Sequence, residues 1–141
     1  MLMPNKVAVY RKEHFNAAHR LLNNDWTNEQ NQEVFGKCSN PNWHGHNYEL
    51  HVTVKGEPNP ATGFVFNAKK LGTIINDTVI EKIDHKNLNI DVDFMKGKFT
   101  TAENLVVGIW HELKPEIEKQ GVQLHSLRLY ETPRIYVDYF G

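Results

Sequence analysis

The sequence predicts an α+β layer fold: a four-stranded antiparallel sheet with two helices on one face, in the order β-β-α-α-β-β. Three observations carry this. Two runs of alternating apolar and polar residues open the chain, two stretches of helical periodicity fill its middle, and two more alternating runs close it. With 141 residues, the chain reads as one domain spanning 1–141. Its composition, 40% apolar and 23% charged, is that of a globular protein and excludes a disordered one.

The first strand runs from Val7 to Ala18. Val7, Val9, Phe15, Ala17 and His19 share one parity and face one way. Arg11 and Glu13 fall on that parity too, so a bulge or break is expected near them. Leu21 to Pro41 is polar and loop-like, with a short helix expected over Glu29 to Phe35. Its length favours a functional loop. His44 to Val54 is the clearest strand, with His44, His46, Tyr48, Leu50, Val52 and Val54 on one face. Gly56 to Gly63, with Pro58 and Pro60, reads as a turn.

Asn67 is a helix N-cap, and Leu71, Ile74, Ile75, Val79 and Ile83 follow at helical spacing, giving a helix from about Ala68 to Lys82. Asp84-His85-Lys86-Asn87 is a polar break. Thr100 and Glu103 form a capping-box pattern before a second amphipathic helix marked by Leu105, Val106, Ile109, Trp110, Leu113 and Ile117. Val122 to Tyr130 and Arg134 to Tyr139 are the closing strands, with Pro133 in a hairpin turn. So thin a layer leaves sheet edges and a face to be covered, which self-association would supply.

Charge and cysteine count exclude several functions. The 16 Lys plus Arg against 17 Asp plus Glu give a net charge of -1, so the basic footprint of a nucleic-acid binder is missing. A single cysteine, Cys38, forbids an intrachain disulfide and fits a reducing cytoplasm. Met1 to Tyr10 has no apolar signal core, and no stretch approaches about 18 apolar residues. Neither secretion nor a membrane span is expected.

The 8 histidines concentrate the chemistry. His44-Gly45-His46 puts two imidazoles at i and i+2 on one strand face, near enough to share an ion, with Gly45 removing bulk between them. If the first two strands form a hairpin, His19 comes to lie beside them. Three neutral imidazoles with one open position is the pattern of a catalytic zinc site. The competing reading is a pair of exposed strand histidines. His14, His51, His111 and His125 read as surface positions.

Cys38 lies in a polar loop, a poor place for an apolar filler. A nearby cation such as Lys37, a protonated histidine or zinc would lower its pKa, and the thiolate could act as nucleophile or general base. Asp84 next to His85 could be a carboxylate fixing an imidazole's tautomer, or simply a helix C-terminus. Glu131 continues the apolar face of Leu127 and Leu129 near a strand end. There it would be partly buried and could accept two hydrogen bonds from an N–C–N edge such as a guanine or pterin ring offers.

Together these residues resemble one family. Phe35-Gly36-Lys37-Cys38-Ser39-Asn40-Pro41-Asn42-Trp43-His44-Gly45-His46-Asn47-Tyr48 is similar to the signature of the 6-pyruvoyl tetrahydropterin synthases. So are Ala17-Ala18-His19-Arg20, Asp84-His85-Lys86-Asn87-Leu88, Thr101-Ala102-Glu103-Asn104 and Tyr130-Glu131-Thr132. The resemblance implies a tunnelling fold whose subunits close a barrel in trimers that stack into a hexamer. It implies conversion of 7,8-dihydroneopterin triphosphate to 6-pyruvoyl tetrahydropterin, with triphosphate eliminated and zinc as cofactor. His19, His44 and His46 match the zinc ligands and Cys38 the general base. Asp84 and His85 match its relay, supplied across a subunit interface. Glu131 matches the pterin anchor, with Thr101 and Glu103 as further substrate-binding positions.

Two residues depart from the family's pattern: Trp43 where Gly is common, and Ala102 where Thr is common. Branches of the family differ in outcome. One makes 6-carboxy-tetrahydropterin for queuosine synthesis and resembles Cys-x3-His-x-His. Another cleaves the side chain and has Glu in place of Cys. Here five residues separate Cys38 from His44, which resembles the biopterin branch. A non-catalytic zinc- or pterin-binding protein is the alternative of another class, and the thiol beside the metal site argues against it. Arg20, Lys37 and Lys86 are candidates for holding the triphosphate.

Overall fold

In a computed structural model of the protein, described here over residues 4–141, a long hairpin sets the architecture. Met1 to Met3, part of the N-terminal stretch expected to carry no signal core, lie outside the described residues. β1 (Val7–His19) and β2 (His44–Gly56) pair antiparallel without interruption from Val7 opposite Gly56 to His19 opposite His44. The bulge expected near Arg11 and Glu13 is absent. Arg11 Nε instead donates to Glu13 Oε1 at 2.9 Å. Its guanidinium lies against Gly72, where a Cβ would come within 2.8 Å. The bare glycine lets a charged side chain occupy the core-facing parity without bending the strand.

β2 also pairs antiparallel with β4 (Gln123–Thr132), and β4 with β5 (Ile135–Tyr139). Register shifts fall between Thr53 and Val54 and between Tyr130 and Thr132. The sheet has five strands, not four, in the order β3-β1-β2-β4-β5. The addition is β3 (Lys86–Asn87), which pairs parallel with Ala17 and Ala18. Two residues carry no periodicity, so this segment read only as a polar break. Long-range hydrogen bonds hold it. The His85 N–H donates to the Asn16 carbonyl at 2.6 Å, and the Leu88 N–H to that of Ala18 at 2.8 Å.

The helices after β2 lie on one face of the sheet. α1 (Asn28–Phe35) is capped by Thr27 in a capping box with Gln30. A 3-10 turn, Gly36–Ser39, follows it and carries Cys38. α2 (Ala68–Ile75) starts on the Asn67 side chain, runs through a π turn (Asn76–Ile80) and ends in α3 (Glu81–Ile83), close to the predicted helix. α4 (Ala102–Glu118) is capped by Thr101, whose hydroxyl accepts from the Asn104 N–H. The expected box of Thr100 with Glu103 is therefore not formed, and the cap lies one residue further on. Thr100 is buried and its hydroxyl donates to Asn89.

Leu71, Ile75, Val79, Ile83, Leu105, Ile109, Leu113 and Ile117 from the helices pack on Phe15, Tyr48, Leu50, Val52, Leu127 and Leu129 from the sheet. At about 1.5–3 kcal/mol for each large apolar side chain removed from water, this layer is the main source of stability. No helix of the described residues is long and apolar enough to cross a membrane.

Replacing Thr101 by Ala removes the α4 cap and lowers unfolding free energy by about 1 kcal/mol, read by urea denaturation. An unchanged midpoint would refute the cap.

Candidate functional site

The site grows from the core face of the β1–β2 hairpin where it runs past the helices. Phe15, Ala17 and His19 on β1 and Tyr48, His46 and His44 on β2 point to that face, and both rows turn from apolar to imidazole at the same end. Ala17 stands opposite His46, and His19 opposite His44. Ring centroids are 4.5 Å apart for His19 and His44, 5.1 Å for His19 and His46, and 5.0 Å for His44 and His46. One ligand nitrogen from each lies within 4.8 Å of the other two. Gly45 does not relieve crowding between the rings, because its position faces the opposite side of the sheet. Its missing Cβ instead admits the β1 backbone, with the Ala17 carbonyl oxygen 3.2 Å from where that Cβ would stand.

The electrostatics suit a cation. His19 Nδ1 donates to the Thr100 carbonyl at 2.7 Å, which fixes the tautomer and leaves Nε2 with a free lone pair, as in metal-ligating histidines. Burial lowers the His19 pKa from 6.5 to about 4, against the pull of the Thr100 carbonyl, with His44 and His46 lowering it further. Burial and His46 also lower that of His44. Both are neutral near pH 7, the form that binds metal. Among the described residues five buried side-chain polar atoms lack a hydrogen-bond partner: His19 Nε2, His44 Nδ1 and Nε2, His46 Nε2 and the Tyr48 hydroxyl. Orphaned buried nitrogens are costly. Their convergence here means that these three histidines could hold one metal ion.

Around this centre stand Cys38 and Glu131. The Cys38 turn is tied to the end of β1 by the Leu21 N–H donating to the Cys38 carbonyl and by Arg20 Nε donating to the Ser39 carbonyl, each at 2.8 Å. The Cys38 pKa is raised, first by burial and then by Glu131. That is opposite to the lowering expected from a neighbouring cation: the single chain brings a carboxylate near the thiol, and Lys37 does not offset it. Glu131 sits at the β4 register shift, with Oε1 3.9 Å from His46 Nε2. This is too long for a hydrogen bond and leaves the carboxylate free.

Asp84 and His85 pair with each other, His85 Nδ1 lying 2.9 Å from Asp84 Oδ1. Asp84 also accepts from the Asn16 N–H at 2.9 Å. That bond, then His85, lowers its pKa. The His85 side chain is 82% exposed, and neither residue is among the charges acting on Cys38. Thr101 is occupied as a cap acceptor and Glu103 is exposed on the first turn of α4. Trp43 has a left-handed φ of 67°, a conformation that glycine adopts without strain and Trp does not. This is a physical reason why Gly would be common at this position. The indole helps to line a recess of about 620 Å³ with Leu22, Asn89, Ile90 and Phe99.

Sequence reasoning missed two groups. The Thr100 carbonyl is a backbone atom and leaves no trace in side-chain identity. Tyr48 was placed on the face of His44 and His46 by its parity, but its hydroxyl was given no role.

Fold and site together define a tunnelling-fold protein with three histidines arranged to share a metal beside a cysteine. The model of the family described as 6-pyruvoyl tetrahydropterin synthase matches residues 8–141. The 6-pyruvoyl tetrahydrobiopterin synthase of Pongo abelii is 44% identical over 133 residues, 94% of this chain and 90% of that one. The human protein of the same name is 42% identical over the same shares. The structure of Caenorhabditis elegans 6-pyruvoyl tetrahydropterin synthase superposes with a TM-score of 0.91 at 35% identity, covering 100% of this chain and 99% of that one. The chain belongs to the 6-pyruvoyl tetrahydropterin synthase family.

Because His19 is buried neutral, the metal-free protein loses stability as pH falls. Above pH 6.5 neither folded nor unfolded chain protonates this ring. Below it the unfolded chain does, and the folded chain follows only near pH 4. Urea denaturation in chelator should show a loss of about 3 kcal/mol across that window, with His44 acting in the same direction. A flat profile there would refute the assignment.

Proposed function

We propose that this chain is a zinc-dependent 6-pyruvoyl tetrahydropterin synthase. It converts 7,8-dihydroneopterin triphosphate to 6-pyruvoyl tetrahydropterin and triphosphate, a carbon–oxygen lyase reaction. The observation that carries the reading is the convergence of three orphaned imidazoles with a free thiol and a free carboxylate in one place. The names of the relatives point the same way.

In this reading His19, His44 and His46 hold zinc, and the Thr100 carbonyl orients His19. Zinc, when bound, acidifies the carbon-bound protons next to the side-chain hydroxyls and favours the thiolate of Cys38. Glu131 accepts two hydrogen bonds from the N–C–N edge of the pterin. Thr101 keeps its hydroxyl proton free to donate, and Glu103 offers an exposed carboxylate; both join it in holding substrate. Cys38 removes a carbon-bound proton from the side chain, and triphosphate leaves with its bonding electron pair. The side chain is oxidised while the ring gains the two electrons, so no redox cofactor is consumed.

The raised pKa of Cys38 and the distance of Asp84 and His85 from its environment support a site shared between chains. A neighbouring subunit then supplies Asp84 and His85 to the thiol. Beyond Ala17 and Ala18 the outer edge of β1 is unpaired, and β5 is the opposite edge. Val7, Tyr10, Ile135 and Tyr136 on these edge strands expose large apolar area, a surface that edge-to-edge pairing would cover. We read the assembly as a homohexamer of two stacked trimeric barrels, each chain one domain, working in the cytoplasm.

Incubating the purified protein with dihydroneopterin triphosphate and zinc, with products identified by mass, should give triphosphate and the 6-pyruvoyl product. A 6-carboxy product with acetaldehyde would move the chain to the queuosine branch. No turnover would leave a binding protein. Replacing Cys38 by Ala should keep zinc stoichiometry and lower turnover about 10²–10⁴-fold, the range of a lost general base. Loss of zinc from that variant would make the thiol a ligand.

A further inference from the structure

Among the described residues, four of the five buried side-chain polar atoms without a partner belong to the three histidines; the fifth is the hydroxyl of Tyr48. Tyr48 is 1% exposed. Its ring is fixed on both sides of the question of where the hydroxyl points. Below, it stacks on Phe15 with centroids 4.7 Å apart and planes 9° from parallel. Above, it meets His46 edge-on at 5.6 Å and His19 at 6.4 Å. It follows His46 by two residues on β2 and so shares the face of the imidazoles.

A phenol buried for packing alone would be better served by Phe, which fills the same space without leaving an O–H unpaired at a cost of about 1–3 kcal/mol. The phenol hydroxyl is a donor, whereas the three imidazole nitrogens facing the centre offer lone pairs to a cation. The O–H proton has nothing to give to the cation itself, although the phenol oxygen also accepts. It suits a ligand that carries its own lone pairs while bound to the cation. Three imidazoles leave one position of a tetrahedral ion open, so such a ligand is expected.

Resting on the zinc reading above, we propose that the Tyr48 hydroxyl is a positioning group of the metal centre. It donates its hydrogen bond to the oxygen ligand that fills the position left open by His19, His44 and His46. With zinc alone that ligand is water; with substrate it is a side-chain hydroxyl. Tyr48 therefore helps to choose which oxygen of a polyhydroxylated side chain the metal holds.

The test compares wild type with Tyr48→Phe as full chains stripped of metal. Zinc affinity is measured by competition with a chromophoric chelator, and the visible spectrum is recorded after loading with cobalt(II). The variant should keep the wild-type zinc stoichiometry and bind zinc about tenfold more weakly, the low end of the effect of losing a partner of this kind. Its cobalt bands should shift, which a purely structural role would not produce. Without metal the variant should melt at or above the wild-type temperature, because it buries one unpaired hydroxyl fewer. Equal zinc affinity with an unchanged cobalt spectrum would overturn the proposal. So would a metal-free variant that melts well below wild type, since the hydroxyl would then have a partner within the fold. A wild type that binds no zinc would instead overturn the metal reading on which the proposal stands.

Discussion

The antiparallel register of β1 on β2 pairs His19 with His44 and Ala17 with His46. A slip of one residue would send every side chain of one strand to the opposite face, taking His19 away from the pair or the pair away from His19. Three things hold the register. Phe15 and Tyr48 stack across it inside the core. Gly45 lets the two backbones close up at the imidazole end. Gly72 admits the Arg11 guanidinium, so a charged residue of core-facing parity does not bulge the strand. The site is thus the continuation of the hydrophobic core, and the forces that fold the hairpin also assemble the imidazoles.

The single chain brings together three histidines that could hold a metal ion and leaves the nearby thiol protonated. Burial keeps His19 and His44 neutral, and the Thr100 carbonyl orients His19 through a bond that also joins the start of α4 to the end of β1. Burial holds the Cys38 thiol protonated, and Glu131 adds to this. In its proposed role of base, a thiol in such surroundings needs positive charge from outside. Asp84 and His85 are held at the β3 edge with His85 exposed, and neither acts on the thiol of their own chain. In the proposed shared site, a second chain would supply charge as well as cover for sheet edges.

Much of this was legible in the sequence because periodicity reports burial. The alternation through His44, His46, Tyr48 and Leu50 gave strand, face and the imidazole pair together, and Leu71, Ile75, Val79 and Ile83 gave the first long helix, with the π turn invisible to spacing. What could not be read depends on contacts between distant segments. Lys86 and Asn87 become a strand only because Asp84, His85 and Leu88 bond to Asn16 and Ala18. The cap of α4 moved from Thr100 to Thr101 because Thr100 is drawn inward to Asn89 and His19. Parity placed Tyr48 on the imidazole face, but that its buried hydroxyl has no partner is visible only in the fold.

The central claim is that three imidazoles, without the thiol, form the metal centre. Zinc K-edge X-ray absorption on the loaded protein tests it most directly. The account predicts three nitrogen neighbours at about 2.0–2.1 Å, a further light-atom ligand and no sulfur. A sulfur shell near about 2.3 Å would make Cys38 a ligand and contradict it.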